Sequence, residues 1–346
     1  MQGAVPAGAA GQGRRVAVVA GIGGHTPSTV VTNAALSLRF DTSDEWIRSR
    51  TGIGARHVAE PGEATSDLAV RAGAAALRSA APRSGGDGVD LLLLATSTPD
   101  HPCPATAPAV ATRLGLSVPA LDVNAVCSGF VYGLAVADGL IAGGVAERVL
   151  LIGADTFSTI LDPDDRSAAA LFGDGAGAVV LRAGHVGEPG AVQAFDLGSD
   201  GDLADLVMVR EGGSRHPGRD PGAERSDRFF AMRGQAVYRH AVARMTESAR
   251  SVLDRVGWAP GEVDRFVAHQ ANARILATVG TELGVPADRV YANLGAVGNT
   301  VAASIPLALA HAAEAGELHG GDRVLLSAFG GGATWGAAAL TWPELF

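Results

Sequence analysis

Gly88-Val-Asp-Leu-Leu-Leu-Leu-Ala-Thr96 and Val263-Asp-Arg-Phe-Val-Ala-His269 decide the fold, because the second stretch repeats the pattern of the first. In each, an aspartate precedes an apolar run, and these aspartates, Asp90 and Asp264, are 174 residues apart. A short apolar run bounded by polar residues is typical of a buried strand. The two stretches therefore predict equivalent strands in two halves of the chain.

Two further pairs of landmarks keep nearly the same spacing. Arg148 and Arg323, each at the start of an apolar run, are 175 residues apart, and Cys127 and Asn299, each before an Ala-rich stretch, are 172 apart. Because the landmarks recur in one order at almost one offset, the sequence indicates an internal duplication.

Short runs of Val, Leu and Ile alternate with Ala-rich helical stretches from Val16 onward. This alternation is typical of an α/β fold in which helices cover a mainly parallel sheet. We predict one strand-and-helix half over residues 14–183 and a second over 184–346, joined by a connector at 183–190. Residues 1–13, rich in Gly, Ala and Gln, are expected to be a flexible leader and not a signal peptide.

Composition excludes several classes of function. The 346 residues are 47% hydrophobic and 18% charged, with a mean hydropathy of +0.20, as in globular proteins. All 27 basic residues are arginines, which excludes Schiff-base lysine chemistry and the lysine of a phosphate-binding loop. A formal net charge of -9 gives no global basic field for nucleic acid or an anionic membrane. The sequence has no apolar run long enough to predict a transmembrane helix.

Cys103 and Cys127 are too few for a disulfide framework or a four-cysteine zinc site, so no metal site is predicted and reduced thiols in the cytoplasm are expected. Cys127 follows the predicted strand 120–123 and opens a predicted helix. Free N–H groups at a helix N-terminus favour a thiolate, the nucleophilic form. The alternative is that Cys127 is a small buried hydrophobic residue.

His269 ends the predicted strand 265–268, and Asn299 lies in a Gly-Asn-Thr turn that corresponds to the turn of Cys127. Duplicated halves commonly pack about a pseudo-twofold axis, so we expect the two turns to face one another with His269 beside them. A nucleophile with two hydrogen-bond donors would then be able to stabilise a developing oxyanion. The alternative for His269 is a purely structural role.

Ala328-Phe-Gly-Gly-Gly-Ala-Thr-Trp-Gly336 follows another predicted strand. Its glycines allow backbone N–H groups to approach a substrate as an oxyanion hole, and a tight turn is the alternative. Gly21-Ile-Gly-Gly24 also follows a strand, but Pro27 and the β-branched residues after it argue against a helix. A nicotinamide-dependent dehydrogenase is therefore disfavoured. The polar stretch 198–227 is predicted to be a long loop.

Seven motifs, in order along residues 14–340, resemble the β-ketoacyl-acyl carrier protein synthase III family. They are Asp41-Thr-Ser-Asp-Glu-Trp-Ile-Arg-Ser-Arg-Thr-Gly-Ile53, Ala125-Val-Cys-Ser-Gly-Phe130, Asp162-Pro-Asp-Asp-Arg166, Phe172-Gly-Asp-Gly-Ala-Gly177, His269-Gln-Ala-Asn272, Gly298-Asn-Thr300 and Phe329-Gly-Gly-Gly-Ala-Thr-Trp335. The resemblance implies a homodimer with an α/β, thiolase-like fold, internally duplicated and five-layered in the order α-β-α-β-α.

The resemblance also implies an acyltransferase with a triad of Cys127, His269 and Asn299. Cys127 would take an acyl primer from acyl-coenzyme A, and malonyl-acyl carrier protein, or malonyl-coenzyme A, would lose carbon dioxide and attack the acyl-cysteine. The 3-oxoacyl product would start fatty-acid or polyketide chains. His269 and Asn299 would stabilise the enolate, the backbone N–H groups of Cys127 and Gly331 would form the oxyanion hole, and no permanently bound cofactor is implied.

Further residues match substrate-binding positions of the family. Those expected to contact coenzyme A are Trp46, Arg50, Arg166, Asn272 and Arg274. Those expected to form the acyl pocket are Phe172, Tyr238, Phe329 and Cys103. Cys103 stands where a bulky aromatic residue of some relatives closes the pocket from the partner subunit. Because cysteine is smaller, we expect room for a primer longer or more branched than acetyl.

One departure concerns the acyl carrier protein. Family members often carry two lysines that are proposed to dock this acidic partner, and those positions are Thr281 and Glu282 here. Arg239, Arg244 and Arg274 are the expected substitutes, since guanidinium pairs well with carboxylate and phosphate. The altered positions keep open an acyltransferase that moves an acyl group without condensation. A non-catalytic binding module is the remaining alternative, and it would not need Cys127, His269 and Asn299 in matching turns.

Overall fold

The computed structural model describes residues 14–80, 88–218 and 224–345, so the predicted leader at residues 1–13 lies outside the described residues. Its strands and helices are, in chain order, β1 (Arg15–His25), β2 (Thr29–Thr32), α1 (Asn33–Ser37), α2 (Asp44–Thr51), β3 (Ala55–Val58), α3 (Thr65–Ala80), β4 (Leu91–Ala95), α4 (Ala107–Arg113), β5 (Ala120–Val123), α5 (Gly129–Ala142), β6 (Arg148–Asp155), α6 (Arg166–Leu171), β7 (Gly175–His185), β8 (Val192–Ser199), β9 (Val207–Val209), β10 (Phe230–Met232), α7 (Gly234–Val256), β11 (Arg265–Ala268), α8 (Ala273–Leu283), α9 (Leu294–Val297), α10 (Ser304–Glu314), β12 (Arg323–Gly330) and β13 (Thr334–Thr341).

Two mixed sheets form the frame of the molecule. The first has the strand order β1-β7-β6-β4-β5, and the second has the order β11-β12-β13-β8. The expectation of mainly parallel sheets is wrong: β4 pairs parallel with β5 and β6, but β7 pairs antiparallel with both β1 and β6. In the second sheet only β11 and β12 are parallel, since β13 follows β12 through a short turn instead of a crossover helix.

The same hydrogen bonds recur in both sheets. Asp90 N–H donates to Arg148 O (2.8 Å), and Asp264 N–H donates to Arg323 O (2.9 Å). In return, Arg148 N–H donates to the Asp90 carboxylate, and Arg323 N–H to the Asp264 carboxylate, each at 2.9 Å. These pairs are the landmarks found in the sequence, so the repeated spacing corresponds to repeated structure.

Helices α5 and α10 form a central layer between the two sheets. Each of these helices contacts strands of both sheets. Nine of the eleven residues of α10 are buried. A helix that is apolar all round must be enclosed. Helices α3 and α4 cover the outer face of the first sheet, and α7 and α8 that of the second. The molecule therefore has five layers in the order α-β-α-β-α.

Gly21 and Gly23 lie inside β1 and not in a turn after it. A Cβ atom on Gly23 would lie 2.4 Å from Ala76 N of α3, and one on Gly21 would lie 2.5 Å from Ala76 O. These glycines let helix and strand pack closely, so they do not bind a dinucleotide phosphate.

The predicted long loop at 198–227 contains regular structure. It includes β9, which pairs antiparallel with β10 beyond the loop, so that Val207 lies opposite Met232 and Val209 opposite Phe230. The strand of three residues is too short to stand out among the flanking polar residues. Within the described residues, no helix is long and apolar enough to cross a membrane.

Candidate active site

Cys127 lies in a one-turn 3-10 helix, Val126–Ser128, between β5 and α5. Val126 has a φ of 47°, a left-handed conformation that a β-branched residue rarely adopts. Gly330 packs directly behind this turn, because a Cβ there would lie 2.8 Å from Cys127 N. The hydroxyls of Ser128 and Thr334 are 2.6 Å apart and join the turn to β13. The nucleophile candidate is therefore held from both halves.

His269 follows β11 and is 2% exposed. Its N–H donates to Ser327 O (2.8 Å), and its Nδ1 lies 2.6 Å from the Ser304 hydroxyl at the start of α10. Burial lowers the pKa of His269 to about 3, so the imidazole is neutral at physiological pH. With Nδ1 occupied by Ser304, Nε2 is the ring nitrogen left to meet a substrate.

Asn299 connects the two halves through its backbone. Its N–H donates to Leu171 O (2.9 Å), and its carbonyl accepts from Gly173 N–H (3.0 Å). Its Oδ1 accepts from Val301 N–H (3.0 Å), and within the described residues its Nδ2 amide has no hydrogen-bond partner. The amide is therefore available as a donor.

One cavity of about 180 Å³ brings these groups together. Its lining residues are Val126, Cys127, Phe157, Leu171, Phe172, Val207, Phe230, Met232, Gly234, Val237, Tyr238, Ala241, Met245, His269, Ala271, Asn272, Ile275, Asn299, Phe329, Gly330 and Gly331. The predicted trio of Cys127, His269 and Asn299 thus lies on a single apolar cavity. The facing of the two turns is as expected, although the position equivalent to Cys127 at the 175-residue offset is Ala302 and not Asn299.

Burial opposes the thiolate form of Cys127 that free N–H groups at the helix start were expected to favour. Burial, together with the nearby carboxylate of Asp155, raises the pKa of Cys127 to about 12, while the backbone N–H groups of Cys127 and Gly331 act in the opposite direction. The effect of desolvation on the pKa of Cys127 outweighs that of the helix N-terminus, so the resting form is the thiol. Because both N–H groups act on the pKa of the thiol, they lie near the sulfur, where an oxyanion hole is predicted.

Asp155, at the end of β6, was missed because it closes an apolar strand. It is fully buried, and its carboxylate accepts from Ser97 N–H (2.8 Å), the Ser97 hydroxyl (2.8 Å) and Ala302 N–H (2.9 Å). Burial raises the pKa of Asp155 to about 6 against these hydrogen bonds. Ala302 N–H lies in the turn after Asn299, so one carboxylate joins the loop after β4 to the Asn299 turn.

The predicted coenzyme A residues form a cluster at the surface. Two guanidinium groups lie over the Trp46 ring, with Arg50 at 4.4 Å and Arg166 at 4.7 Å from the ring centroid. Asn272 Nδ2 donates to Arg50 O (3.1 Å) and Arg274 donates to Ser49 O (2.8 Å). Asn272 also lines the cavity, so it connects the cluster to Cys127.

Phe172, Tyr238 and Phe329 line the cavity, whereas Cys103 does not. Cys103 is exposed in this chain, so it is able to border an acyl pocket only on a second copy of the chain. Phe157 and Phe230 were not predicted from the sequence, and their rings pack against Phe172 with centroids 4.7 to 5.0 Å apart. Both lie outside the motifs, and only tertiary packing brings them to the cavity.

The candidate docking arginines differ in their surroundings. Arg244 pairs with Glu247 (2.9 Å) and lies over the Trp335 ring (4.7 Å), and Arg274 is engaged with Ser49. Arg239 is exposed on α7, next to the cavity residue Tyr238. Among the described residues there is no cluster of histidine, cysteine and carboxylate side chains suited to a metal ion.

Two family models and several known proteins match this chain. Residues 253–342 match the family model 3-oxoacyl-[acyl-carrier-protein (ACP)] synthase III C terminal, and residues 121–201 match the model 3-oxoacyl-[acyl-carrier-protein (ACP)] synthase III. A relative from Streptomyces coelicolor, β-ketoacyl-[acyl-carrier-protein] synthase III 3, is 59% identical over 332 residues, covering 96% of this chain and 98% of the relative.

Two solved structures are also similar. The crystal structure of 3-oxoacyl-(acyl carrier protein) synthase III from Pseudomonas aeruginosa PAO1 has a TM-score of 0.88 and 52% identity, and covers 96% of this chain and 99% of its own. The priming β-ketosynthase from the R1128 polyketide biosynthetic pathway has a TM-score of 0.88 at 32% identity, covering 98% of this chain and 100% of its own.

Proposed function

Because the chain belongs to the 3-oxoacyl-[acyl-carrier-protein] synthase III family, we propose that it condenses an acyl primer from acyl-coenzyme A with malonyl-acyl carrier protein. Its five-layered architecture is the thiolase fold, as predicted. The chain is an acyl-transferring condensing enzyme. The observation that carries the assignment of residues is the single cavity shared by Cys127, His269 and Asn299.

In the first half-reaction, Cys127 Sγ attacks the thioester carbon of acyl-coenzyme A. The new S–C bond forms, the bond to the coenzyme A sulfur breaks, and the thiol proton leaves with that sulfur. The N–H groups of Cys127 and Gly331 support this role because both lower the pKa of the thiol and therefore favour negative charge near Sγ. They donate to the carbonyl oxygen as its negative charge develops, and each such donor is worth roughly 100- to 1000-fold in rate.

In the second half-reaction, His269 and Asn299 hold the malonyl thioester carbonyl. Carbon dioxide leaves, and the electrons of the broken C–C bond form an enolate that the two donors stabilise. The enolate carbon attacks the acyl-Cys127 carbonyl, the bond from that carbon to Sγ breaks, and the Cys127 thiolate that leaves takes a proton from solvent. Because His269 is neutral and the Asn299 amide has a free donor, both groups suit this task.

Coenzyme A is proposed to lie over Trp46, Arg50 and Arg166, with its pantetheine arm passing Asn272 and Arg274 toward Cys127. Arg166 lies only 4.7 Å from the Trp46 ring centroid, so an adenine enters between them only if they separate. No permanently bound cofactor is required, and malonyl-coenzyme A is an alternative extender.

The primer is proposed to lie against Phe172, Tyr238 and Phe329 in a cavity that Cys103 of a second copy of the chain completes. A homodimer is proposed because β5 is the outer strand of its sheet and its Leu121 is 42% exposed. The small Cys103 side chain supports a primer longer or more branched than acetyl. We place the enzyme in the cytoplasm, at the start of fatty-acid or polyketide chains.

The carrier protein is proposed to approach Arg239, Arg244 and Arg274 near the cavity. Of these, Arg244 pairs with Glu247 and Arg274 donates to Ser49 O, whereas Arg239 is exposed and forms no ion pair within the described residues. An acidic partner is favoured by such a charge at the entrance, even though the whole chain is negative.

The test is to incubate the protein with a panel of acyl-coenzyme A primers and malonyl-acyl carrier protein, and to measure carbon dioxide and 3-oxoacyl-acyl carrier protein. We expect both products in equal amounts, and none of the condensation product from Cys127→Ala. Release of coenzyme A with acylation of the carrier protein but without carbon dioxide would instead establish simple acyl transfer.

A further inference from the structure

His269 and Ser304 form an isolated buried pair behind the cavity. Both residues are nearly inaccessible, at 2% and 1% exposure, and Nδ1 lies 2.6 Å from the hydroxyl oxygen. The hydroxyl oxygen also accepts from Gln270 N–H at 3.3 Å. Ser304 is the first residue of α10, in the central layer, so its position is fixed by the packing of both sheets.

Counting donors and acceptors decides which ring nitrogen carries the proton. A neutral imidazole has one N–H donor and one bare acceptor nitrogen, and a serine hydroxyl has one hydrogen and two lone pairs. Within residues 14–80, 88–218 and 224–345, Ser304 Oγ has hydrogen-bond contacts only with His269 and Gln270. Gln270 N–H is a donor, so the Ser304 hydrogen can be accepted only by Nδ1.

The opposite arrangement leaves a group unsatisfied. If Nδ1 carried the proton and donated it to Ser304, two N–H groups would point at the hydroxyl oxygen and the hydroxyl hydrogen would be buried without an acceptor. Such a loss biases the equilibrium between the tautomers by roughly five- to 150-fold, the equivalent of about 1–3 kcal/mol. The hydrogen-bond geometry therefore favours a bare Nδ1 and a protonated Nε2 facing the cavity.

We propose that Ser304 is a positioning residue that holds His269 in the Nε2–H form, so that His269 is a hydrogen-bond donor to the malonyl thioester and not the base that deprotonates Cys127. The inference rests on the proposed function, which it deepens. It predicts that the two half-reactions respond differently to the loss of the Ser304 hydroxyl, because only the second one uses the His269 N–H.

Three variants test the inference. Ser304→Ala removes the hydroxyl, Ser304→Thr retains it, and Ser327→Ala is the matched control. Ser327 is also a fully buried serine, and its hydroxyl donates to Met245 O (3.2 Å), away from the imidazole. Acylation of Cys127 from acyl-coenzyme A is followed by single-turnover mass spectrometry, and decarboxylation of malonyl-acyl carrier protein by carbon dioxide release.

For Ser304→Ala we expect a ten- to hundredfold slower decarboxylation with acylation changed by less than threefold. Ser327→Ala and Ser304→Thr should keep the wild-type ratio of the two rates. Equal slowing of both half-reactions in Ser304→Ala, with Ser327→Ala behaving alike, would mean a general packing defect and overturn the inference.

A spectroscopic measurement on the unmodified protein reads the tautomer directly and does not depend on activity. In protein labelled with ¹⁵N-histidine, the His269 signals are assigned by their loss in His269→Gln. We expect a pyridine-type shift for Nδ1 and a pyrrole-type shift for Nε2. The reverse pattern overturns the inference even if Ser304→Ala does not fold. Absence of condensation with the expected shifts would reject the proposed function and leave the tautomer assignment standing.

Discussion

Val126 and Val301 share the same uncommon backbone conformation, with φ values of 47° and 53°. They lie 175 residues apart and each opens the 3-10 turn that precedes a central helix, α5 or α10. Left-handed valines are strained, and strain of this kind persists only where the surrounding structure enforces it. Since Cys127 follows Val126 and Asn299 lies two residues before Val301, the duplicated strain frames the candidate site.

The strain at Val126 predicts an unusual order of stability between two substitutions. Val126→Ala and Val126→Gly remove nearly the same packing, but glycine adopts a positive φ without cost. We expect Val126→Gly to be more stable than Val126→Ala by about 1 kcal/mol. In the regular helix α5, Ala137→Gly should instead lower the free energy of unfolding by at least ~0.5–1 kcal/mol. Urea denaturation measures the free energies of unfolding of these variants. If Val126→Ala is as stable as Val126→Gly, the backbone at position 126 is not strained.

The charge of Asp155 predicts a change in the reactivity of Cys127. Because burial and the Asp155 carboxylate together raise the pKa of Cys127 to about 12, we expect slow iodoacetamide labelling at pH 7. Asp155→Asn removes the negative charge, so the rate-against-pH profile of Cys127 should move to lower pH and labelling at pH 8 should rise severalfold. Cys103, exposed, provides the internal control, and its labelling should not change. An unchanged Cys127 profile would show that the carboxylate does not act on the thiol.

Asp155 also predicts a pH dependence of stability. Its pKa rises from an ordinary value of 3.8 to about 6 on folding, so the native state binds its proton more tightly than the unfolded state. The associated stability is present below pH 3.8 and is lost as the pH rises through about 6. Relative to Asp155→Asn, the wild-type protein should lose about 3 kcal/mol between pH 3.5 and pH 7. Urea denaturation of both proteins at each pH gives the difference between their free energies of unfolding. The contributions of the other carboxylates cancel in this difference. A difference that is constant with pH would contradict the shift.

We expect the cluster of Phe157, Phe172 and Phe230 to determine the preferred length of the acyl primer. Phe230→Ala removes a ring that packs 5.0 Å from both Phe157 and Phe172, so it should enlarge the cavity. We expect the preferred primer to become at least two carbons longer, measured as kcat/KM across a series of acyl-coenzyme A primers. The adjacent Phe229 does not line the cavity and packs instead against Arg225, so Phe229→Ala is the control and should keep the original preference. The same shift in both variants would exclude the cluster as the determinant.

Arg239 predicts a charge-dependent interaction with the carrier protein. Arg239→Glu places a negative charge on α7 next to the cavity residue Tyr238, so we expect the KM for malonyl-acyl carrier protein to rise about tenfold at low salt while the KM for acyl-coenzyme A stays within twofold. Arg78→Glu, at the end of α3 in the outer layer of the other half, makes the same charge change away from the cavity. Equal effects of the two variants would point to net charge alone.

Much of this architecture could be predicted from the sequence, because local pattern and spacing encode it. Asp90 and Asp264 indicated the duplication because each precedes the equivalent strand in its own sheet. Cys127, His269 and Asn299 were predicted because they occur in motifs at strand ends. The sequence did not reveal Asp155 and Ser304, because their partners lie 57 to 147 and 34 to 35 residues away in the chain. The sequence also did not predict the raised pKa of the Cys127 thiol, since desolvation depends on packing and not on local sequence.

The most direct test of the account is to map the acyl group by peptide mass spectrometry after one turnover with acyl-coenzyme A, and then to add malonyl-acyl carrier protein. We predict that the acyl group is found on Cys127 and that it leaves completely with an equal amount of carbon dioxide and 3-oxoacyl-acyl carrier protein. Acylation at Cys103 or another residue, or an acyl-Cys127 that persists when malonyl-acyl carrier protein is added, would contradict the central claim.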